Sequence, residues 1–302
     1  MLQETSLKKL NIFAPHSKGR GFIVMKLKTY AEFIKIEHTL FALPFAYIGA
    51  LLASKGWFGL KTFILIFTAF TGLRTAAMSF NRIIDREIDA LNPRTAKRHI
   101  PAGIISLKEA YAIAIIGLIV YFISAYFINE LAFMLSPIPA IVAYIYPYLK
   151  RYTCLCHYFL GLNLAFAPLG GWIAVTNSLD NIWIILLSVG VMFWVAGFDI
   201  IYGLQDLEFD REYGLHSIGA HFGVKVALAI SALNHLIFFL LVSISLLNLV
   251  GISALFGLIV IGILLIYEHI LVRKGKIQVA FFHINAVISV MLLITVLLAI
   301  LF

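Results

Sequence analysis

Apolar residues run along this chain in long blocks, separated by short clusters of polar and charged positions. A helix crossing a bilayer needs about 20 mostly apolar residues. Nine stretches meet that pattern, near 36–54, 61–80, 109–128, 131–149, 158–177, 182–202, 222–245, 248–268 and 280–301. The pattern predicts an all-α integral membrane protein of nine transmembrane helices, and the odd number puts the two termini on opposite sides. Pro137, Pro139, Pro147 and Pro168 interrupt helices in the middle of the chain. Membranes tolerate such breaks where neighbouring helices or a cavity satisfy the freed backbone groups, so a central cavity is expected.

Composition agrees with the pattern. Of 302 residues, 62% are hydrophobic and 13% charged, and the mean hydropathy is +0.99, outside the range of ordinary water-soluble domains. The net charge of +8 raises the question of nucleic acid, but Lys and Arg alternate with apolar spans rather than forming one stripe. No nucleic acid is expected as a partner, and membrane lipid is. Cys154 and Cys156 lie too close in sequence to pair readily and leave the redox compartment open.

Basic residues cluster on alternate connections. Arg82, Arg86, Arg94, Lys97, Arg98 and Lys108 lie between the second and third stretches, Lys150 and Arg151 after the fourth, Arg211 after the sixth, and Arg273, Lys274 and Lys276 after the eighth. The opposite connections carry only Lys55 and Lys61. The positive-inside rule therefore places the basic connections and the N-terminus in the cytoplasm. Residues 1–29 hold several lysines without a sustained apolar run or a signal-peptide cleavage pattern and read as a cytoplasmic N-terminal extension, leaving 30–302 as one transmembrane domain.

The two longest internal connections, roughly 81–108 and 203–221, both begin with acidic residues emerging from an apolar helix. Asn81, Asp85 and Asp89 recur every four positions, and Asp199, Asp206 and Asp210 are offset by seven and four. On helices, each trio falls on one face. Stacked carboxylates repel and are costly beside a membrane, so a compensating cation is expected. Magnesium suits hard oxygen donors, and it is commonly bound by a few carboxylates together with phosphate oxygens. Asn81, Asp85, Asp89, Asp206 and Asp210 are the metal candidates, and two such clusters would bridge a diphosphate. The competing reading, solvated loop charges at chance helical spacing, is weakened by the duplication.

Taken jointly, Arg74-x6-Asn81-x3-Asp85-x3-Asp89, Asn92-Pro-Arg94-Thr95, Tyr146-Pro-Tyr-Leu-Lys150-Arg151-Tyr-Thr153 and Asp199-x2-Tyr202-x3-Asp206-x3-Asp210 resemble the UbiA family of membrane prenyltransferases over residues 30–302. The resemblance implies magnesium-dependent transfer of a polyprenyl group from its diphosphate to an aromatic acid, with the Asp-rich loops cytoplasmic. The best match is to enzymes that prenylate 4-hydroxybenzoate in quinone biosynthesis; a dihydroxynaphthoate of a menaquinone route is the close alternative. Arg82, His99 and His216 stand where the family often has Asp, Pro and Lys.

Under that reading, Lys150, Arg151, Arg74 and Arg94 are candidates to bind the diphosphate, because charge building on the leaving oxygens calls for cations. Lys35 and Lys97 have equal claims as topology or headgroup residues. Asp199 and Tyr202 are the catalytic candidates, with Asp199 deep enough in its helix to orient the acceptor and take its proton. Asp199 has two other readings, as a partner of Arg74 or as a third metal-associated carboxylate. Asn163 reads as an interhelical hydrogen-bonding residue before an acceptor contact, and Cys154-x-Cys156-His157 lacks a fourth ligand for zinc and reads as incidental. A phosphatidyl-type transferase would need an Asp-Gly-x2-Ala-Arg signature that neither cluster has. The non-enzyme alternative is a cation-coupled transporter, whose carboxylates belong near the bilayer midplane rather than at helix ends.

Overall fold

The computed structural model describes residues 26–302; of the expected extension, 1–25 lie outside the described residues and the remainder opens a short helix at 26–33. Nine long helices follow: α1 (Ile36–Ser54), α2 (Leu60–Ile84), α3 (Leu107–Ile128), α4 (Glu130–Leu135 and Pro137–Leu149), α5 (Cys156–Thr176), α6 (Ile182–Gly203), α7 (Ile218–Leu249), α8 (Leu255–Arg273) and α9 (Asn285–Leu301). Among the described residues, eight spans are long and apolar enough to cross a membrane, while the apolar run of α1, Phe41–Ser54, is shorter. The protein is an all-α, multi-pass membrane protein.

Helices adjacent in sequence are mostly neighbours in space. α2 packs on α3 and α4, α5 lies between α1 and α6, α6 packs on α7, and α9 returns to α8 and α1, closing a ring around a central cavity. The expected boundaries differ most at the eighth span. Gly251, at φ 78°, stops α7 and starts a 3-10 turn, so α8 begins several residues later than hydropathy indicates. Pro137 begins the second half of α4, and the Ser136 carbonyl at that break accepts from the Tyr121 hydroxyl at 3.1 Å. A protein group thus supplies what the missing water cannot.

Both long connections are structured. A short helix, Arg86–Leu91, continues the winding of α2 through Asp85, because the Asp85 N–H donates to the Asn81 carbonyl and the Asp89 N–H to that of Asp85. α6 instead passes into a 3-10 turn, Leu204–Asp206, and then a short helix, Leu207–Glu212. The seven-residue offset from Asp199 to Asp206 is therefore not one continuous α-helical stripe. The second connection is capped by Ser217, whose side chain accepts from the Ala220 N–H at the start of α7.

Two close helix crossings hold the cavity wall. A Cβ at Gly171 of α5 would lie 1.8 Å from the Ala46 carbonyl oxygen of α1, and one at Gly161 would lie 2.2 Å from the Met192 carbonyl oxygen of α6. In a bilayer, small residues that let backbones approach supply the packing that hydrophobic burial provides in water. Near the cavity's other side, Asn285 donates to the Ala280 and Phe281 carbonyls across a π-helical turn, Ala280–Ile284, and to the buried Glu268 at 2.9 Å. That turn sets Phe281 and Phe282 against the cavity.

Gly171→Ala is expected to force α1 and α5 apart and lower stability by about 1–3 kcal/mol, read as a drop in the detergent melting temperature. Gly170→Ala, one residue away with nothing within 4 Å of its added Cβ, is expected to melt with the parent.

Candidate active site

The cavity has a volume of about 1010 Å³ and is polar at the end formed by the two long connections. Asn81 of α2 with Asp85 and Asp89 just beyond it, Asp199 and Tyr202 of α6 with Asp206 and Asp210 in the connection after it, and Arg74, Arg94 and Lys150 all line it. Ten of the eleven candidate residues thus face one space. Arg151 is the exception. It donates to the Ile84 carbonyl at 2.6 Å and stays 3.9 Å from Asp85 Oδ1, bracing the end of α2 rather than lining the cavity.

Asp85, Asp89 and Asp206 each have a basic partner. Asp85 faces Lys150 Nζ at 3.0 Å and accepts from Asn81 Nδ2 at 3.1 Å. Both oxygens of Asp89 accept from Arg98 Nη1, at 2.7 and 2.8 Å. Asp206 is held by the guanidinium of Arg94, with Nε donating to Oδ1 at 2.8 Å, and by Asn92 Nδ2, also at 2.8 Å. Burial pushes the Asp85 carboxyl up from the ordinary value, and Lys150 opposes this. Burial works against the Arg94 charge too, but its bonds to Asp206 and Tyr202 outweigh it and hold the guanidinium above the usual arginine value. Asp85 and Asp89 are only 2% and 3% exposed, which is why each needs its cation.

Arg94 ties the two connections together. Its Nη1 donates to the Tyr202 hydroxyl at 2.9 Å, and the Tyr202 ring stacks on Phe281 with centroids 4.2 Å apart. The loop that carries Arg94 is shaped by Asn92, whose Oδ1 accepts the Arg94 N–H at 2.9 Å in an Asx-type turn around Pro93. Thr95 adds a bond from its hydroxyl to the Asp89 carbonyl at 3.0 Å.

Asp199 pairs with neither Arg74 nor the acidic cluster. Its Oδ2 is 2.7 Å from His157 Nδ1, so His157 is not incidental. Arg74 lines the cavity with its Nε buried and, among the described residues, unbonded. Asn163 also lines the cavity while donating to the Phe159 carbonyl of its own helix at 3.0 Å. Lys35 and Lys97 reach the cavity rim. Asn92, Arg98 and His157 were not among the candidates. Asn92 had a signal in the Asn-Pro turn pair; Arg98 and His157 meet their carboxylates only through folding.

Among the described residues, no group of three or more His, Cys, Asp or Glu side chains is close enough to hold a metal ion by itself. The expected set of five protein ligands is therefore not preassembled, and basic neighbours engage Asp85, Asp89 and Asp206. Asp85 keeps an unused donor: its Oδ1 is buried with no hydrogen-bond partner among the described residues. Asp85 lines the cavity, and a carboxylate with an unused oxygen there fits a hard cation whose other ligands come from a phosphate.

The UbiA prenyltransferase family matches residues 42–287 of this chain. The chain belongs to that family. It is a membrane prenyltransferase, and its two Asp-rich segments lie on the cavity just described. The chain is 28% identical over 254 residues to a protein of Vibrio atlanticus named 4-hydroxybenzoate octaprenyltransferase, covering 83% of this chain and 89% of that one. The apo structure of a UbiA homolog from Aeropyrum pernix K1 is 37% identical, with a TM-score of 0.79, and spans 87% of this chain and 98% of that one. A UbiA homolog from Archaeoglobus fulgidus, described as bound to GPP and Mg2+, shares the fold with a TM-score of 0.67 at 20% identity, over 91% of this chain and all of that one.

Arg98→Ala removes the counter-charge of a buried carboxylate and is expected to cost about 3–5 kcal/mol of stability in metal-free protein. Magnesium with a prenyl diphosphate is expected to recover part of the lost melting temperature, because it brings positive charge to the same carboxylates.

Proposed function

We propose that this protein transfers a polyprenyl group from its diphosphate to an aromatic acid, with 4-hydroxybenzoate as the acceptor, in quinone biosynthesis. The observation that carries the reading is the convergence of two carboxylate ladders, Lys150 and Asp199 at the polar end of a cavity whose remainder is apolar. The name of the Vibrio atlanticus relative supports the acceptor, and the ligands named for the Archaeoglobus fulgidus homolog support a prenyl diphosphate with magnesium.

Asp85, Asp89, Asp206 and Asp210, with Asn81, would hold magnesium on the diphosphate. When bound, the metal supplies charge neutralisation for the leaving oxygens. Lys150 and Arg94 exchange their carboxylate partners for phosphate oxygens, and Arg74, buried and without a carboxylate partner at hydrogen-bond distance, offers a further guanidinium to an anion. As the allylic C–O bond breaks, its electron pair passes to the diphosphate, where these cations stabilise it. Tyr202 and Phe281, stacked on one another, both line the cavity in which positive charge develops on carbon. The ring then attacks the allylic carbon, and Asp199 accepts the displaced ring proton as the ring recovers its aromaticity.

The basic connections support a cytoplasmic placement of the site and the N-terminus, with residues 1–29 as an extension and 30–302 as the catalytic unit. A transporter reading loses its support, since Asp85, Asp89, Asp206 and Asp210 sit at helix ends.

Purified protein given a labelled prenyl diphosphate, magnesium and either 4-hydroxybenzoate or a dihydroxynaphthoate is expected to label the hydroxybenzoate. Asp85→Ala and Asp206→Ala are expected to lower turnover about 100-fold or more. Undiminished turnover in either variant, or no transfer to any aromatic acid, overturns the assignment.

A further inference from the structure

Asp199 projects from α6 into the cavity, while His157 sits behind it, 4% exposed and off the cavity surface. The close crossing of α5 and α6 produces this contact. Gly161 meets the Met192 carbonyl, and one turn toward the start of α5, His157 meets Asp199, two turns further along α6. Spacings of four and seven residues keep all four positions on the facing sides of two antiparallel helices. Gly203 lies beside the ring, an added Cβ there making ordinary van der Waals contact with His157 Cε1 at 3.4 Å.

The second ring nitrogen decides the protonation state. The Ile218 N–H, at the first turn of α7, donates to His157 Nε2 at 3.4 Å. A nitrogen that accepts carries no proton, so the proton of neutral imidazole is on Nδ1, pointing at Asp199 Oδ2. An imidazolium would set an Nε2–H against the Ile218 N–H. His157 is also the second residue of α5, where the helix dipole favours a nearby anion. Asp199 Oδ2 is thereby engaged from behind, and Oδ1, with no hydrogen-bonding partner among the described residues, is the oxygen left for the cavity.

We infer that His157, as a neutral Nδ1–H donor fixed by the Ile218 amide, is the positioning residue that holds Asp199 Oδ2 and aims its Oδ1 at the acceptor proton. The inference rests on the reading of Asp199 as the base. His157 itself neither gains nor loses a proton. The ring C–H proton goes to Asp199 Oδ1, the C–H electron pair returns to the ring, and Asp199 leaves the step as a neutral carboxyl.

The test compares His157→Asn with His157→Leu, side chains of nearly the same shape, of which only Asn can donate to Asp199. Both are measured beside Asp199→Asn and a double variant that combines His157→Leu with Asp199→Asn, with monodispersity and melting temperature confirming folding. His157→Leu is expected to lower kcat about 10- to 100-fold with KM for the prenyl diphosphate within about twofold, and His157→Asn to restore most of kcat. The double variant is expected to be no slower than Asp199→Asn alone. Equal activity of the Asn and Leu variants, or multiplying losses in the double variant, overturns the inference while leaving Asp199 as base. Full turnover in Asp199→Asn instead removes the base reading, and the inference with it. A 15N spectrum of wild-type protein gives a readout independent of any variant's folding: neutral, Nδ1-protonated His157 supports the proposal, and imidazolium overturns it.

Discussion

Charge neutralisation at the polar mouth of an apolar cavity is the constraint on which the rest of this protein depends. Carboxylates that are almost wholly buried cannot stay ionised beside a bilayer without cations at hydrogen-bond distance. Lys150 and Arg98 meet that need for Asp85 and Asp89, Arg94 pairs with the partly buried Asp206, and each reaches its partner from a different part of the chain or the far side of a turn. Helix ends, loop turns and the crossing of two connections are therefore all tied to the same few ion pairs. The site serves as its own counter-ion when no substrate is bound.

This arrangement gives the binding step a particular character. A magnesium diphosphate does not enter an empty acidic pocket; it exchanges partners with groups already matched in charge. The carboxylates pass from guanidinium and ammonium to metal, while the freed cations pass to phosphate. Much of the gross electrostatic energy cancels, and what remains is selectivity for a ligand carrying both signs at once. A bare diphosphate leaves carboxylates without cations, and a bare metal leaves cations without anions.

Most of the architecture was legible in the sequence because the bilayer imposes a length and an apolar composition on every span. The acidic ladders were legible because i, i+4 spacing is a local property; Asn81, Asp85 and Asp89 keep helical winding even through the break at Asp85. Legibility ended where geometry became non-local or depended on a turn. Lys150 and Arg151 are adjacent and chemically alike, yet the turn after α4 sends one to Asp85 and the other to the Ile84 carbonyl. Arg98 reaches Asp89 through the turns of one connection and His157 reaches Asp199 through helix packing, with no spacing rule to announce either. The start of α8 was misplaced because hydropathy does not sense the left-handed conformation at Gly251.

The crossing of α1 and α5 leaves two neighbouring glycines with opposite evolutionary prospects. Gly171 is frozen, because any side chain there collides with the backbone of α1. Gly170 lines the cavity, and a side chain added to it meets open space. A lineage could shorten or reshape the apolar end of the chamber by substitution at position 170 without disturbing the helix pair that frames it. The same turn of helix thus separates what the fold must keep from what selection is free to adjust.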